Sequence, residues 1–78
     1  LSISVTNKIQ SKGVGTLLLQ SMLDQCKAMN YKTIFLEVRI SNLQAINFYQ
    51  KFGFIKDAIR ENYYTDNSED ALLMSLSI

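Results

Sequence analysis

The 78-residue sequence contains no histidine, no proline, no tryptophan and a single cysteine, Cys26. Without histidine, the chain lacks the commonest general base and the commonest metal ligand. Any acid–base chemistry must therefore use Asp, Glu, Tyr, Lys or Cys side chains, and no metal site is expected. One cysteine excludes a disulfide framework and a thiol metal cluster. No apolar run approaches ~18 residues, so no membrane-spanning segment is expected.

Charge and length narrow the class of protein further. Eight Lys and Arg residues against seven Asp and Glu residues give a net charge of +1, so neither nucleic acid nor an anionic membrane is expected as a partner. The length allows one small domain, and a domain of this size buries only ~60% of its unfolded surface. The chain begins at Leu1 inside a strand-like run, so we expect it to be a fragment of a longer protein.

The first motif is the polar, glycine-spaced stretch Gln10-Ser11-Lys12-Gly13-Val14-Gly15. Alternating apolar and small residues at 1–5 predict a strand before it, and apolar spacing over residues 16–29 predicts a helix after it. A turn that opens a helix presents unpaired backbone N–H groups and the positive end of the helix dipole to an anion. Alone, the motif could be an ordinary loop. It lacks the third glycine of a dinucleotide fold and the Gly-Lys-Ser/Thr of a Walker loop.

The remaining pattern predicts an α/β chain with the element order β-α-β-α-β-β. After the first strand and helix come a strand at 33–38 buried on both faces, a helix at 43–52, a strand at 54–64, a turn at 65–70 and a strand at 71–77. The first two strands should be parallel, with a right-handed crossover. The last strand should pair antiparallel with the third.

Helix faces and ends are also readable from the sequence. The predicted apolar stripe of the first helix comprises Leu17, Leu18, Leu19, Met22, Leu23, Cys26 and Met29. The apolar side of the second helix comprises Ala45, Ile46, Phe48, Tyr49 and Phe52. Asn30 and Gly53 tolerate the left-handed conformation that ends helices, and Ser41 or Asn42 can cap the second helix. Cys26 is expected to be a buried structural thiol, since no histidine is present to activate it.

Two side chains could carry chemistry. Glu37 interrupts an apolar strand, so it either faces solvent or pairs with Arg39, or it is a desolvated carboxylate that acts as a general base. Tyr49 is either a core aromatic residue or a proton donor. The residues alone leave these alternatives open.

Taken together, these pieces resemble the GCN5-related N-acetyltransferase (GNAT) family. The pattern Gln10-x-x-Gly13-x-Gly15 is similar to its pyrophosphate-binding motif for acetyl-coenzyme A. The pattern Asn42-x-x-Ala45-Ile46-x-Phe48-Tyr49-x-x-x-Gly53-Phe54 is similar to its later helix motif. Three further stretches resemble its bacterial ribosomal-protein alanine N-acetyltransferase branch: Leu36-Glu37-Val38-Arg39-x-Ser41-Asn42, Arg60-x-Asn62-Tyr63-Tyr64, and Glu69-Asp70-Ala71-x-x-Met74.

The resemblance implies the acyl-CoA N-acyltransferase fold and a role for specific positions. Residues 1–78 would form the carboxyl-terminal part of one such domain, whose upstream strands and helices are absent. Glu37 would be the base and Tyr49 the acid. The cofactor-binding positions implied are Ile3, Ser4 and Val5 toward the pantetheine and acetyl carbonyl, Ser11, Lys12, Gly13, Val14, Gly15 and Thr16 toward the pyrophosphate, and Asn42. Tyr63 and Tyr64 would line the peptide site.

The implied activity is acetyl transfer from acetyl-CoA to a protein N-terminal amine, by direct attack and in the cytoplasm. The expected acceptor is the alanine terminus of a ribosomal protein. Two alternatives remain: an enzyme of the same family for lysine, a polyamine or a small-molecule amine, and a non-catalytic half-domain that binds CoA. An unpaired strand edge predicts self-association or pairing with the missing amino-terminal half.

Overall fold

The computed structural model describes residues 2–4 and 14–78. The described elements are β1 (Ser2–Ser4), α1 (Val14–Ala28), β2 (Thr33–Arg39), α2 (Leu43–Lys51), β3 (Ile55–Arg60) and β4 (Ala71–Ser77). Their order confirms the predicted β-α-β-α-β-β pattern. Neither α1 nor α2 is long and apolar enough to cross a membrane.

The four described strands form one sheet in the order β1-β2-β4-β3. β1 and β2 are parallel, and β3 and β4 are antiparallel, as the sequence predicts. The sequence did not predict that β4 also pairs along the whole of β2, from Thr33 opposite Ser77 to Arg39 opposite Ala71. β4 thus lies between β2 and β3 in the described sheet, and its residues Ala71, Leu72 and Met74 are buried.

The core lies on one face of this sheet. Ile34, Leu36 and Val38 of β2 are buried there, because successive strand residues point to opposite faces. The prediction that β2 is buried on both faces is wrong for the described chain, since Phe35 on the other face is 49% exposed. We call this second face the open face.

The helix α1 begins at Val14, inside the glycine motif and two residues before the predicted start. Its core contacts come from Leu19, Leu23 and Cys26, so the structural interpretation of the cysteine is confirmed. The predicted stripe was too wide: Leu17, Leu18 and Met29 are exposed. Consecutive residues are about 100° apart around a helix, so three leucines in a row cannot all face one neighbour.

The predicted helix ends are confirmed. Asn30 has a φ of 66° and Gly53 a φ of 103°. Asn42 is the N-cap of α2, where its Oδ1 accepts a hydrogen bond from the backbone N–H of Ala45 at 3.3 Å. The apolar side of α2 packs against the core through Ala45, Ile46 and Tyr49.

The strand β3 ends at Arg60, earlier than the predicted residue 64. Asn62 has a φ of 52°, which is incompatible with extended backbone. The ten residues at 61–70 instead form a connection that we call the β3–β4 loop. Two hydrogen bonds from backbone N–H groups connect its two sides. The Tyr64 N–H donates to the Glu69 carbonyl at 3.1 Å, and the Asn62 N–H donates to an Asp70 carboxylate oxygen at 3.0 Å.

Candidate active site

Glu37 lies where the described pairing between β1 and β2 ends. The parallel register runs from Ser2 opposite Phe35 to Ser4 opposite Glu37. Strand alternation places the Glu37 side chain on the open face, opposite the buried Leu36, and the residue is half-buried. The candidate base therefore lies at a sheet position that a ligand could approach from outside the core.

An open depression of about 370 Å³ surrounds Glu37 on this face. It is lined by Phe35, Leu36, Glu37, Ile59, Arg60, Leu73 and Met74. Five of the seven lining residues are apolar, and the other two contribute one carboxylate and one guanidinium.

The Glu37 carboxylate raises the pKa of Tyr63, chiefly through a side-chain hydrogen bond, so the Tyr63 hydroxyl lies beside this carboxylate. The guanidinium of Arg60 lies 5.4 Å from the centre of the Tyr63 ring, within the range of a cation–π contact. Tyr63 also meets Tyr64 edge to face, with 5.1 Å between ring centres. The tyrosines predicted to line the acceptor site thus lie beside the candidate base.

Arg39 makes contacts that sequence reasoning missed. Its guanidinium pairs with Asp66 at 2.9 Å and with Glu69 at 3.2 Å, and it lies 4.0 Å from the centre of the Tyr64 ring. The sequence offered Arg39 as an ion-pair partner of Glu37, but its ion pairs in the described structure are with the β3–β4 loop. The only available signal was the acidic composition of that loop, which does not specify a partner.

Tyr49 is buried in the core and only 1% exposed. Its ring packs edge to face against Phe48 at 5.2 Å and Phe54 at 5.6 Å between ring centres. Burial raises the pKa of the hydroxyl, so the proton is present at neutral pH. Within the described residues, no hydrogen bond of this hydroxyl is formed.

Glu37 and Tyr49 are not in one side-chain cluster. Tyr49 packs with Leu36 and Val38 in the core, whereas Glu37 points to the open face. The two candidate residues therefore lie on opposite sides of β2. A single substrate can meet both only at the edge of this strand.

Val14, Gly15 and Thr16 form the first turn of α1, which contains no acidic residue. The first N–H groups of a helix have no intrahelical partner, so this turn fits an anionic group such as a pyrophosphate. Ile3 and Ser4 contribute backbone to β1. Val5, Ser11, Lys12 and Gly13 lie outside the described residues, so their implied roles remain predictions.

The sequence model of the acetyltransferase (GNAT) family matches residues 1–54. The chain therefore belongs to this family, and the expected fold and cofactor class follow from the same membership.

Two curated relatives are each 42% identical to this chain. The [ribosomal protein bS18]-alanine N-acetyltransferase of Escherichia coli K12 aligns over 79 residues, which cover 99% of this chain and 53% of the relative. The N-alpha-acetyltransferase of Sulfurisphaera tokodaii aligns over 76 residues, which cover 96% of this chain and 45% of the relative. The chain thus spans about half the length of these relatives.

A solved structure also matches the fold. The GNAT family acetyltransferase from Elizabethkingia anophelis with acetyl-CoA bound has a TM-score of 0.83 and 26% sequence identity. The match covers 99% of this chain and 60% of that one. The predicted fold class is therefore confirmed, while the roles of individual residues remain predictions.

Proposed function

We propose that the protein carrying this chain transfers the acetyl group of acetyl-CoA to the N-terminal amine of a protein, with the alanine terminus of a ribosomal protein as acceptor. Residues 1–78 would form the carboxyl-terminal part of one such domain. The observation that carries the proposal is the half-buried Glu37 at the end of the β1–β2 pairing, where the Tyr63 hydroxyl lies beside the Glu37 carboxylate. The name of the Escherichia coli relative supports the acceptor, and a ribosomal substrate implies a cytoplasmic enzyme.

The first turn of α1 would hold the pyrophosphate of acetyl-CoA. In a strand–helix–strand unit, the helix begins at the edge where the carboxyl ends of its strands lie. The described β1–β2 pairing ends at that edge, beside Glu37. Backbone groups at Ile3, Ser4 and Val5 would then direct the pantetheine arm along β1 toward the candidate base. The backbone amides of the preceding loop, including that of Lys12, would also bind the pyrophosphate. Asn42 would be a further contact of acetyl-CoA.

Glu37 would free the lone pair of the acceptor amine. A protein N-terminal amine has a pKa near ~8, so most of it is protonated at neutral pH, and a nearby carboxylate can take the proton directly or through water. Bound acetyl-CoA would supply an activated acetyl thioester: the amine nitrogen would form a C–N bond, the C–S bond would break, and the extra proton on the nitrogen would leave through water to give the neutral amide. A backbone N–H near Val5 would stabilise the developing oxyanion.

Tyr49 would donate its proton to the departing sulfur. Its burial keeps the hydroxyl protonated, and an unperturbed thiol has a pKa near ~8.5, so a protonated thiol is the stable product at neutral pH. Since Glu37 and Tyr49 lie on opposite sides of β2, the reacting thioester would have to lie at the β1-facing edge of this strand. Direct attack needs no nucleophilic side chain, which agrees with the buried Cys26.

The test measures initial rates with acetyl-CoA and an alanine-starting peptide, using the full natural protein and its Glu37→Gln and Tyr49→Phe variants. We expect each variant to lower kcat by about 10²–10⁴-fold, the usual contribution of general acid–base catalysis. The matched controls are Asp24→Asn and Tyr31→Phe, which remove an exposed carboxylate and an exposed hydroxyl and should leave kcat unchanged.

Acceptor choice is tested in the same assay by replacing the peptide with spermidine or with an N-terminally blocked peptide that contains lysine. Faster transfer to either of these would support an enzyme for another amine instead. Calorimetric binding of acetyl-CoA without transfer to any acceptor would support a non-catalytic CoA-binding protein. Wild-type turnover in both Glu37→Gln and Tyr49→Phe would contradict the assigned roles.

A further inference from the structure

The strongest cluster of polar contacts in the described chain converges on Arg39 at the end of β2. Besides its two ion pairs, the guanidinium donates a hydrogen bond to Asn67 Oδ1 at 3.2 Å and stacks on Tyr64. All four partners belong to the β3–β4 loop. The planar guanidinium presents several donors in a fixed arrangement, so it can fix this loop in a way that a lysine could not.

Glu69 ties the same loop to the junction between β2 and α2. One carboxylate oxygen accepts from Arg39, while the other accepts from the backbone N–H of Ser41 at 2.8 Å. Hydrogen bonds from Ser41, and then from Arg39 and Asn67, lower the pKa of Glu69 to about 2. The side chain is 13% exposed, against 64% for Asp66. Glu69 is thus a charged, well-enclosed anchor at neutral pH.

Ring contacts connect this anchor to Tyr63. Arg39 stacks on Tyr64, and the Tyr64 ring packs edge to face on Tyr63. The Tyr63 hydroxyl in turn lies beside the Glu37 carboxylate, which raises the pKa of Tyr63. A continuous set of contacts therefore runs from the guanidinium to the candidate base, and none of these contacts involves the start of α1.

We propose that Arg39 is a positioning residue for the acceptor: with Glu69, it holds the β3–β4 loop so that the Tyr63 hydroxyl stays on Glu37 and orients the incoming amine. This role rests on the proposed function of Glu37 as the base. Arg39 acts through the tyrosines and touches neither substrate. Its loss should therefore impair use of the peptide and leave use of acetyl-CoA intact.

The kinetic test compares Arg39→Gln with the wild-type full-length protein, using acetyl-CoA and the alanine-starting peptide. A misplacement of about 1 Å can cost about 10²-fold in rate, so we expect kcat/KM for the peptide to fall by about 10–100-fold. The KM for acetyl-CoA should not change. Arg39→Lys should recover little of the lost kcat/KM. Glu69→Gln should lower kcat/KM for the peptide more than Asp66→Asn does, because Glu69 also accepts a hydrogen bond from the Ser41 N–H.

A double variant separates positioning from general stability. Tyr63→Phe removes the hydroxyl on Glu37 directly, so Arg39→Gln combined with Tyr63→Phe should be no slower than the slower single variant. Residues that act through one contact are non-additive, whereas independent effects multiply. Multiplying effects, or equal increases in KM for both substrates, would overturn the proposal.

Backbone hydrogen exchange gives a readout that does not need activity. In Arg39→Gln, the amides of Ser41 and Tyr64 should exchange faster than in the wild type, while amides in the centre of β2 keep their protection. Unchanged exchange in the loop would overturn the proposal even if transfer slows. A wild-type protein that transfers acetyl to no amine would instead overturn the proposed function, and the positioning role with it.

Discussion

Replacing Tyr49 with phenylalanine should separate stability from activity at one position. The change removes only the hydroxyl, because the ring contacts with Phe48 and Phe54 at 5.2 and 5.6 Å involve carbon atoms that both side chains share. The hydroxyl is buried, and the described residues form no hydrogen bond with it. Its removal therefore costs no hydrogen bond within the described part of the chain.

The expected magnitude follows from the burial. A buried polar group without a partner costs about 1–3 kcal/mol, so Tyr49→Phe should be at least as stable as the wild type. Tyr49→Ala removes the whole ring from a site that is 1% exposed and should cost about 3–5 kcal/mol. If the hydroxyl is the proton donor to sulfur, Tyr49→Phe should nevertheless lose about 10²–10⁴-fold in kcat.

Urea unfolding followed by circular dichroism measures the first quantity, and steady-state acetyl transfer measures the second. A loss of stability above about 1 kcal/mol in Tyr49→Phe would show that the hydroxyl has a structural hydrogen bond, since a typical one contributes that much. Unchanged kcat would show that the hydroxyl does not protonate the leaving group. Either result would refute the reasoning from burial to function.

Three further predictions concern the elements around the site. Folding lowers the pKa of Glu69 from an ordinary 4.5 to about 2, so its charged form stabilises the fold fully above pH 4.5 and loses this effect as the pH falls toward 2. The urea midpoints of wild type and Glu69→Gln should therefore converge between pH 4.5 and 2, and a constant difference would contradict this. Gly53→Ala should cost about 1–3 kcal/mol in urea unfolding, because the φ of 103° disfavours a side chain and the new Cβ would lie 3.3 Å from Leu76 Cδ1; unaltered stability would contradict this. Asn42→Ala should lower the free energy of unfolding by about 0.5–2 kcal/mol by removing the cap on the Ala45 N–H, whereas Asn42→Asp should keep the cap. If the Asn42 side-chain amide binds the cofactor, both variants should have a raised KM for acetyl-CoA, and a normal KM in Asn42→Asp would exclude this role.

Local rules in the sequence predicted most of the fold. Asn30, Asn42 and Gly53 each act within one turn of their own helix, so their roles as stop or cap were predictable from residue type alone. The position of β4 between β2 and β3 was not, because the choice of a neighbour depends on which strands bury apolar faces together. The same limit applies to Leu17 and Leu18: apolar character does not reveal which side of a helix is covered.

The candidate site divides in the same way. Glu37 and Tyr49 became candidates because one is a carboxylate in an apolar strand and the other lies in a motif on a helix, and their catalytic roles stay predictions. The contacts of Arg39 were not predictable, since its ion-pair partners are 27 and 30 residues away and lie in a loop with several acidic residues. The placement of Glu37 and Tyr49 on opposite sides of β2 could not be predicted either, because a one-residue shift in strand register exchanges the two faces of a strand.

The most direct test of the central claim is tandem mass spectrometry of an alanine-starting peptide, which also contains one lysine, after incubation with the full-length protein and acetyl-CoA. We predict one acetyl group on the terminal α-amine, none on the lysine side chain, and almost none on either amine with Glu37→Gln. An acetyl group on the lysine, or an equally acetylated terminus with Glu37→Gln, would contradict the assignment of this chain to N-terminal acetyl transfer by Glu37.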